Sequence, residues 1–315
     1  MSISTLPLQE RDAQELSAQE RGAQDRGAQD RLLSLSADYL ELTKPKIAAL
    51  ELVTVAVAAS IAAGGSPNLL ILLHTLAGTA LVAASASALN QWLERDVDAL
   101  MSRTADRPLP AGRLGSSEVL FFGGATAVAG IVWLAAAVNL TTAVLGFLTW
   151  GLYVWIYTPL KTRTSLNTVV GALAGAMPVL MGWSAVGELD LLAATLFVLV
   201  YLWQFPHFMA IAWIYRREYA KGGFKMLTVV DPSGRRAGRL AFVSALALLP
   251  ISLLPIGMYP VGSIYLVLAV LLGCLQVMLA TRFLLRLDEP SARSLLRCSL
   301  VYLPAIMLLL MLGPL

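Results

Sequence analysis

A chain of 315 residues that is 57% hydrophobic and only 14% charged lies outside the range of soluble domains, which run at about 45–50% apolar and about 25% charged. An ordinary water-soluble domain is excluded, and a polytopic helical membrane protein is the class that fits. The net charge of +3 says little by itself, but the placement of the 23 basic residues says much.

Residues 10–31, ERDAQELSAQERGAQDRGAQDR, repeat an Ala-Gln-acid-Arg unit every five residues. That period fits neither a heptad nor a 3.6-residue face and leaves almost nothing to bury, so residues 1–38 are expected to be a disordered or frayed tail. No apolar stretch with a small-residue cleavage site directly follows it, and its acids outnumber its bases. It therefore resembles neither a secretory signal nor an organelle transit peptide, which favours a bacterial cytoplasmic membrane.

Residues 39–315 are expected to form one continuous bundle. Nine apolar stretches are long enough to span a bilayer, at 47–63, 69–93, 118–138, 140–158, 166–186, 190–213, 240–258, 262–281 and 295–313. Six Lys and Arg residues precede the first, four follow the second, two the fourth, seven the sixth and four the eighth. None falls in the alternate connections near 64–67, 139, 187–190 or 258–262. The positive-inside rule then places the N-terminus in the cytoplasm and the C-terminus outside. Cys274 and Cys298 show no CxxC spacing and read as packing residues.

The second span runs into NQWLERDVDALMSRTADRPLPAGR, residues 90–113. On a helix Asn90, Glu94 and Asp98 share one face and climb about 12 Å, while Asp96 points elsewhere. Amide and carboxylate oxygens at a membrane edge suit Mg²⁺, which takes one or two carboxylates and completes its shell with water and substrate phosphates. Arg103 and Arg107 add forks suited to phosphate oxygens. The plainer alternative makes the arginines topology determinants and the acids their solvated counter-ions.

After the fourth span, YTPLKTRTSLN brings Lys161 and Arg163 to the same side, with Asn167 one turn further on at the start of the fifth span. Gly171 and Gly175 form GxxxG ahead of Pro178, which reads as close helix packing with a kink. In the sixth span, WQFPHF places Gln204 and His207 in an apolar helix, where polar groups face a cavity or a partner. His74 reads as a packing residue. Glu51, in the first span, either lines a cavity or pairs with a polar group.

Asn90-x3-Glu94-x-Asp96-x-Asp98-x2-Met101-x-Arg103-Thr104-x2-Arg107-Pro108-Leu109 resembles the first aspartate-rich motif of the UbiA superfamily of intramembrane prenyltransferases. The Met-x-Arg-Thr-x-x-Arg-Pro-Leu form is similar to that of its haem O synthase branch. LTKPKI at 42–47, YTPLK-x-R-T-x2-N and WQFPHF are similar to three further segments of that branch, so the likeness covers about residues 39–310.

The resemblance implies nine helices around a central cavity open to the cytoplasmic side and laterally to lipid. It also implies Mg²⁺ as cofactor, and farnesyl diphosphate and protohaem IX as substrates that meet within membrane lipid. Haem O for haem-copper oxidases is the implied product, haem A synthase or oxidase assembly factors the implied partners, and nucleic acid has no part. Carried over, Asn90, Glu94 and Asp98 would hold the metal and diphosphate; Arg103, Arg107, Lys161 and Arg163 would contact the diphosphate; and His207 would face the porphyrin. Asn167 and Gln204 would line the substrate cavity.

Two departures stand out. Glu94 occupies a position where the superfamily often has Asp. In Tyr215-Arg216-Arg217-Glu218-Tyr219 one acid of the usual second pair is replaced by Arg217. Glu218 and Tyr219 would then be the remnant of a second substrate-binding motif, and Arg217 leaves two readings open there: a second metal site that survives the change, or a fixed positive charge in place of the metal. Two alternatives remain: a UbiA-type enzyme acting on a quinone precursor or chlorophyll-like ring, and a transporter with Glu51, Gln204 and His207 along its path.

Overall fold

The structure, a computed structural model, describes residues 34–313. The repeats at 10–31 lie outside the described residues. Residues 34–42 are helical, a run that crosses position 39.

Among the described residues nine helices are long and apolar enough to cross a membrane: α1 (Pro45–Ala62), α2 (Leu69–Asp98), α3 (Ser116–Ala137), α4 (Leu140–Leu160), α5 (Asn167–Val186), α6 (Leu191–Ile214), α7 (Arg235–Gly257), α8 (Ser263–Arg286) and α9 (Glu289–Leu312). All nine expected spans are present. Their edges move outward at the charged end, where α2 runs on to Asp98, α7 begins at Arg235 and α9 begins at Glu289. The physical reason is that a helix satisfies its own backbone and need not stop where the apolar run stops; Asp288 caps α9 by accepting from Ser291 N at 2.9 Å.

The opposite end is finished with caps. Asn68 accepts from Leu70 N and Ile71 N, Asn139 from Thr142 N at 2.8 Å, and Asp190 from Ala193 N at 2.8 Å. The carboxylate of Asp190 at that end thus has a local structural use.

Helix α5 packs on α1, α4 and α6 and is the most buried of the nine, and α6 continues the packing to α7 and α9. Residues from α1, α5, α6, α8 and α9 share one core cluster around Trp183, Leu196 and Tyr302. The outer faces are apolar as well: Phe121 is 80% exposed and Leu140 71%, which only a hydrocarbon surround makes favourable. Helix α5 runs through Pro178 without ending.

Helix α4 carries one irregularity. Its Leu152–Tyr157 segment is a π-helical stretch, the kind of wide turn found often at functional sites. It continues into Thr158–Leu160 and delivers Lys161 to the charged end.

Candidate active site

Asn90, Glu94 and Asp98 lie on one buried face of α2, at 0%, 6% and 1% exposure. Buried oxygens of this kind need partners, and each finds a cation from a different part of the chain. Lys44, at the foot of α1, donates to Asn90 Oδ1 at 2.7 Å. Lys161, at the end of α4, lies 2.7 Å from Glu94 Oε1. Arg107, from the α2–α3 connection, donates to Asp98 Oδ2 at 2.5 Å.

Local structure fixes each partner. Lys44 sits in a left-handed backbone conformation, φ 49°, directly before Pro45. Asn90 is oriented by a second bond, Nδ2 donating to Thr158 Oγ1 at 3.0 Å, and Thr158 is itself tied to the Tyr153 carbonyl across the π segment. Lys161 also lies over the rings of Tyr157, at 4.6 Å, and Phe224, at 5.9 Å.

These groups line a cavity of about 180 Å³ whose walls include Asn90, Glu94, Asp98, Arg103, Arg107 and Lys161. Lys44 and Tyr219 also border it. That space admits a diphosphate-sized group but not a porphyrin, since drug-sized ligands occupy roughly 300–1,000 Å³. Four cations, Lys44, Arg103, Arg107 and Lys161, face two carboxylates, so the cavity is built for an anion. Burial, followed by the charges of Arg107 and Lys161, pushes Lys44 down to about 7. Burial also opposes the charge on Lys161, but Glu94 outweighs it together with the flanking tyrosines, and Lys161 stays above the ordinary lysine value.

The oxygen set fits a hard divalent cation. Glu94 Oε1 is buried and, despite the nearby Lys161 ammonium, makes no hydrogen bond; the contact is an ion pair without hydrogen-bond alignment. With one amide and two carboxylates on a single face, the donors are those Mg²⁺ takes when phosphate and water complete its shell. Among the described residues no group of three or more His, Cys, Asp or Glu gathers.

The remaining predicted residues lie elsewhere. Gln204 spans the α5–α6 contact, donating to Ala172 O at 2.8 Å and Val200 O at 3.3 Å. Gly175 makes room for it, since a Cβ there would lie 2.3 Å from Gln204 Oε1; at Gly171 a Cβ would meet Tyr157 at 2.6 Å. His207 turns toward α9, its Nδ1 2.9 Å from Ser299 Oγ and its ring stacked on Trp203. Asn167 donates to Thr164 O and Lys225 O, fastening the head of α5 to the α6–α7 connection. Arg163 is exposed and lines a separate pocket with Lys225. Gln204, His207 and Asn167 have found partners in the helix packing and at the head of α5, and Arg163 faces a different pocket, which is why none of the four lines the cavity.

The second acidic segment departs furthest from expectation. Glu218 Oε2 accepts from Ser102 N at 3.0 Å and Ser102 Oγ at 2.9 Å, and Lys221 donates to Oε1 at 2.8 Å. Those bonds, with Lys221 first, hold its carboxyl below the usual range. Arg217 is exposed. Glu218 thus ties the α6–α7 connection to the α2–α3 connection, reinforced by Arg103 stacked over Tyr215 at 5.4 Å. Tyr219, from the same short helix Arg216–Lys221, does line the cavity.

Residues 52–303 match the UbiA prenyltransferase family. The chain belongs to that family. A protoheme IX farnesyltransferase from Solibacter usitatus is 43% identical over 279 residues, covering 85% of this chain and 96% of the relative. One from Rhodopirellula baltica is 40% identical and covers 86% of this chain and 98% of its own length. A UbiA homolog from Archaeoglobus fulgidus bound to DMAPP and Mg²⁺ superposes with a TM-score of 0.59 at 17% identity, over 86% of this chain and 99% of that one. A structure described for digeranylgeranylglyceryl phosphate synthase reaches a TM-score of 0.76 at 17% identity, over 88% of this chain and 97% of its own. At that identity the likeness is one of fold. The protein is a prenyltransferase of the UbiA fold and not a transporter.

Lys44 is the charged cavity residue that site prediction from sequence missed. Its only signal was its place in LTKPKI, 46 residues from the amide it contacts.

Proposed function

We propose that this enzyme converts protohaem IX to haem O by moving the farnesyl group of farnesyl diphosphate to a haem vinyl group, with addition of water and release of diphosphate. The observation that carries the choice of acceptor is the 43% identity to the Solibacter usitatus protoheme IX farnesyltransferase along nearly its whole length. The diphosphate is supported independently by four cations and an oxygen face in one cavity.

In this reading Lys44, Arg103, Arg107 and Lys161 grip the diphosphate, and Asn90, Glu94 and Asp98 hold Mg²⁺. The ion, when bound, neutralises charge that builds on the leaving group. The arginine and lysine forks do the same from fixed positions, where electrostatic help is strongest because little reorganisation is needed. Breaking the C1–O bond leaves its electron pair on the diphosphate. The vinyl π electrons then form the new carbon–carbon bond, and water adds to the ring-side carbon. Tyr157, Tyr219 and Phe224 border the reacting head and limit early capture of the cation by bulk water.

The charged end is placed at the cytoplasm of a bacterial inner membrane on the strength of basic residues confined to alternate connections. Membranes supplied with farnesyl diphosphate, haem B and Mg²⁺ are expected to yield haem O, identified by mass. Prenylation of a quinone precursor in place of haem, from an active preparation, would overturn the choice of acceptor.

A further inference from the structure

Water addition, the last step of the proposed reaction, needs a proton acceptor inside the bundle. Helix α1 supplies one. Ile47, in the first turn of α1, lines the cavity, and Glu51 follows it at a spacing of four, so the two lie on one face. Glu51 sits about 6 Å deeper along the helix than Ile47, on the membrane side of the charged groups that would grip the diphosphate.

The wall contributed by α4 has the same layout: Tyr157 lines the cavity and Tyr153, one turn deeper, lies ring to ring with it at 5.3 Å. Glu51 is close enough to interact electrostatically with both Lys44 and Tyr153. Its side chain is half-buried and, among the described residues, makes no hydrogen bond or ion pair. A carboxyl inside a membrane helix is costly to keep without a use, and packing gives Glu51 none.

We infer that Glu51 is the catalytic base of the hydration step, taking a proton from the water that quenches the cation left on the haem vinyl carbon. The inference rests on the haem-farnesylating reading. A water lone pair forms the new C–O bond to the cationic carbon, one water proton passes to the Glu51 carboxylate, and the hydroxyl remains on the product. Without the base, the same cation instead gives up a proton from its neighbouring carbon to a surrounding water molecule, the C–H electron pair closing an alkene one water lighter than haem O.

The test uses the full chain in membranes with farnesyl diphosphate, haem B and Mg²⁺, and reads the ratio of hydroxylated to alkene product by mass. Glu51→Gln is expected to shift that ratio toward the alkene by about 100-fold, the usual contribution of a positioned base. Glu51→Ala is expected to do the same, with added formate restoring the hydroxylated product. A parent-like ratio in whichever variant inserts, at any overall rate, overturns the inference, because a merely structural Glu51 would slow turnover without changing the product. Failure of the unsubstituted enzyme to make any haem product is a separate result. It removes the acceptor reading and this inference with it.

Discussion

Two acid-bearing segments sit at the charged end of the bundle and are used in opposite ways. On α2, Glu94 and Asp98 are buried, each is reached by a cation from another helix or loop, and both face the cavity. On the Arg216–Lys221 helix, Glu218 turns to Ser102 and Lys221 and binds one connection to another. The side chains are alike; the difference lies in what surrounds them. A buried carboxylate with cationic partners becomes an ion-handling site, while one at the rim that meets a free backbone N–H becomes a fastening.

The contrast is broken most forcefully at Asp98. Asp98→Asn keeps shape and insertion but is expected to lower Mg²⁺-dependent haem O formation by about 10²–10³-fold, the scale on which single electrostatic groups count in shielded sites. Activity near that of the parent would remove Asp98 from the site.

Next in size is the ion pair with Arg107. Removing one partner strands a buried charge, so Arg107→Met should cost about 3 kcal/mol in thermal unfolding in detergent. Asp98→Asn in the same chain should return most of that stability while leaving activity low. Failure of the double variant to recover would show that the pair is not what stabilises this corner.

A smaller effect is expected at Lys44→Met. Loss of one charge-assisted contact should raise the KM for farnesyl diphosphate about tenfold, with kcat less affected. A change confined to haem kinetics would take Lys44 off the diphosphate.

The least effect belongs to the second segment. Glu218→Gln, which keeps an acceptor for Ser102, should alter kcat/KM by about threefold at most and leave the Mg²⁺ dependence where it was, because the contact it loses with Lys221 is solvent-exposed. A marked shift in the Mg²⁺ needed for half-maximal rate would mean that Glu218 holds metal after all, and the contrast would collapse.

The nine spans and the Asn90–Glu94–Asp98 face were legible because each rests on a local period. A run of apolar residues declares its length, and a four-residue spacing declares a shared face. Partners were not legible in the same way. That Gln204 and His207 needed hydrogen bonds was evident from their apolar surroundings, but not that the Ala172 carbonyl and Ser299 would supply them. Arg163 stands two residues from Lys161 yet faces another pocket, because the chain turns between them at the end of α4. Lys44 escaped for the opposite reason: its partner is remote in sequence, so no spacing announces it.

The π segment of α4 makes the site a matter of phase. Each residue of a helix turns the chain by about 100°, so the wide turn at Leu152–Tyr157 sets the angle at which Thr158 meets Asn90 and Lys161 meets Glu94. Excising one residue there would leave the span long enough and its composition almost untouched. It would nonetheless tighten the wide turn and shift the register in which Thr158 and Lys161 meet α2, disarming the proposed diphosphate grip without altering any residue that makes it.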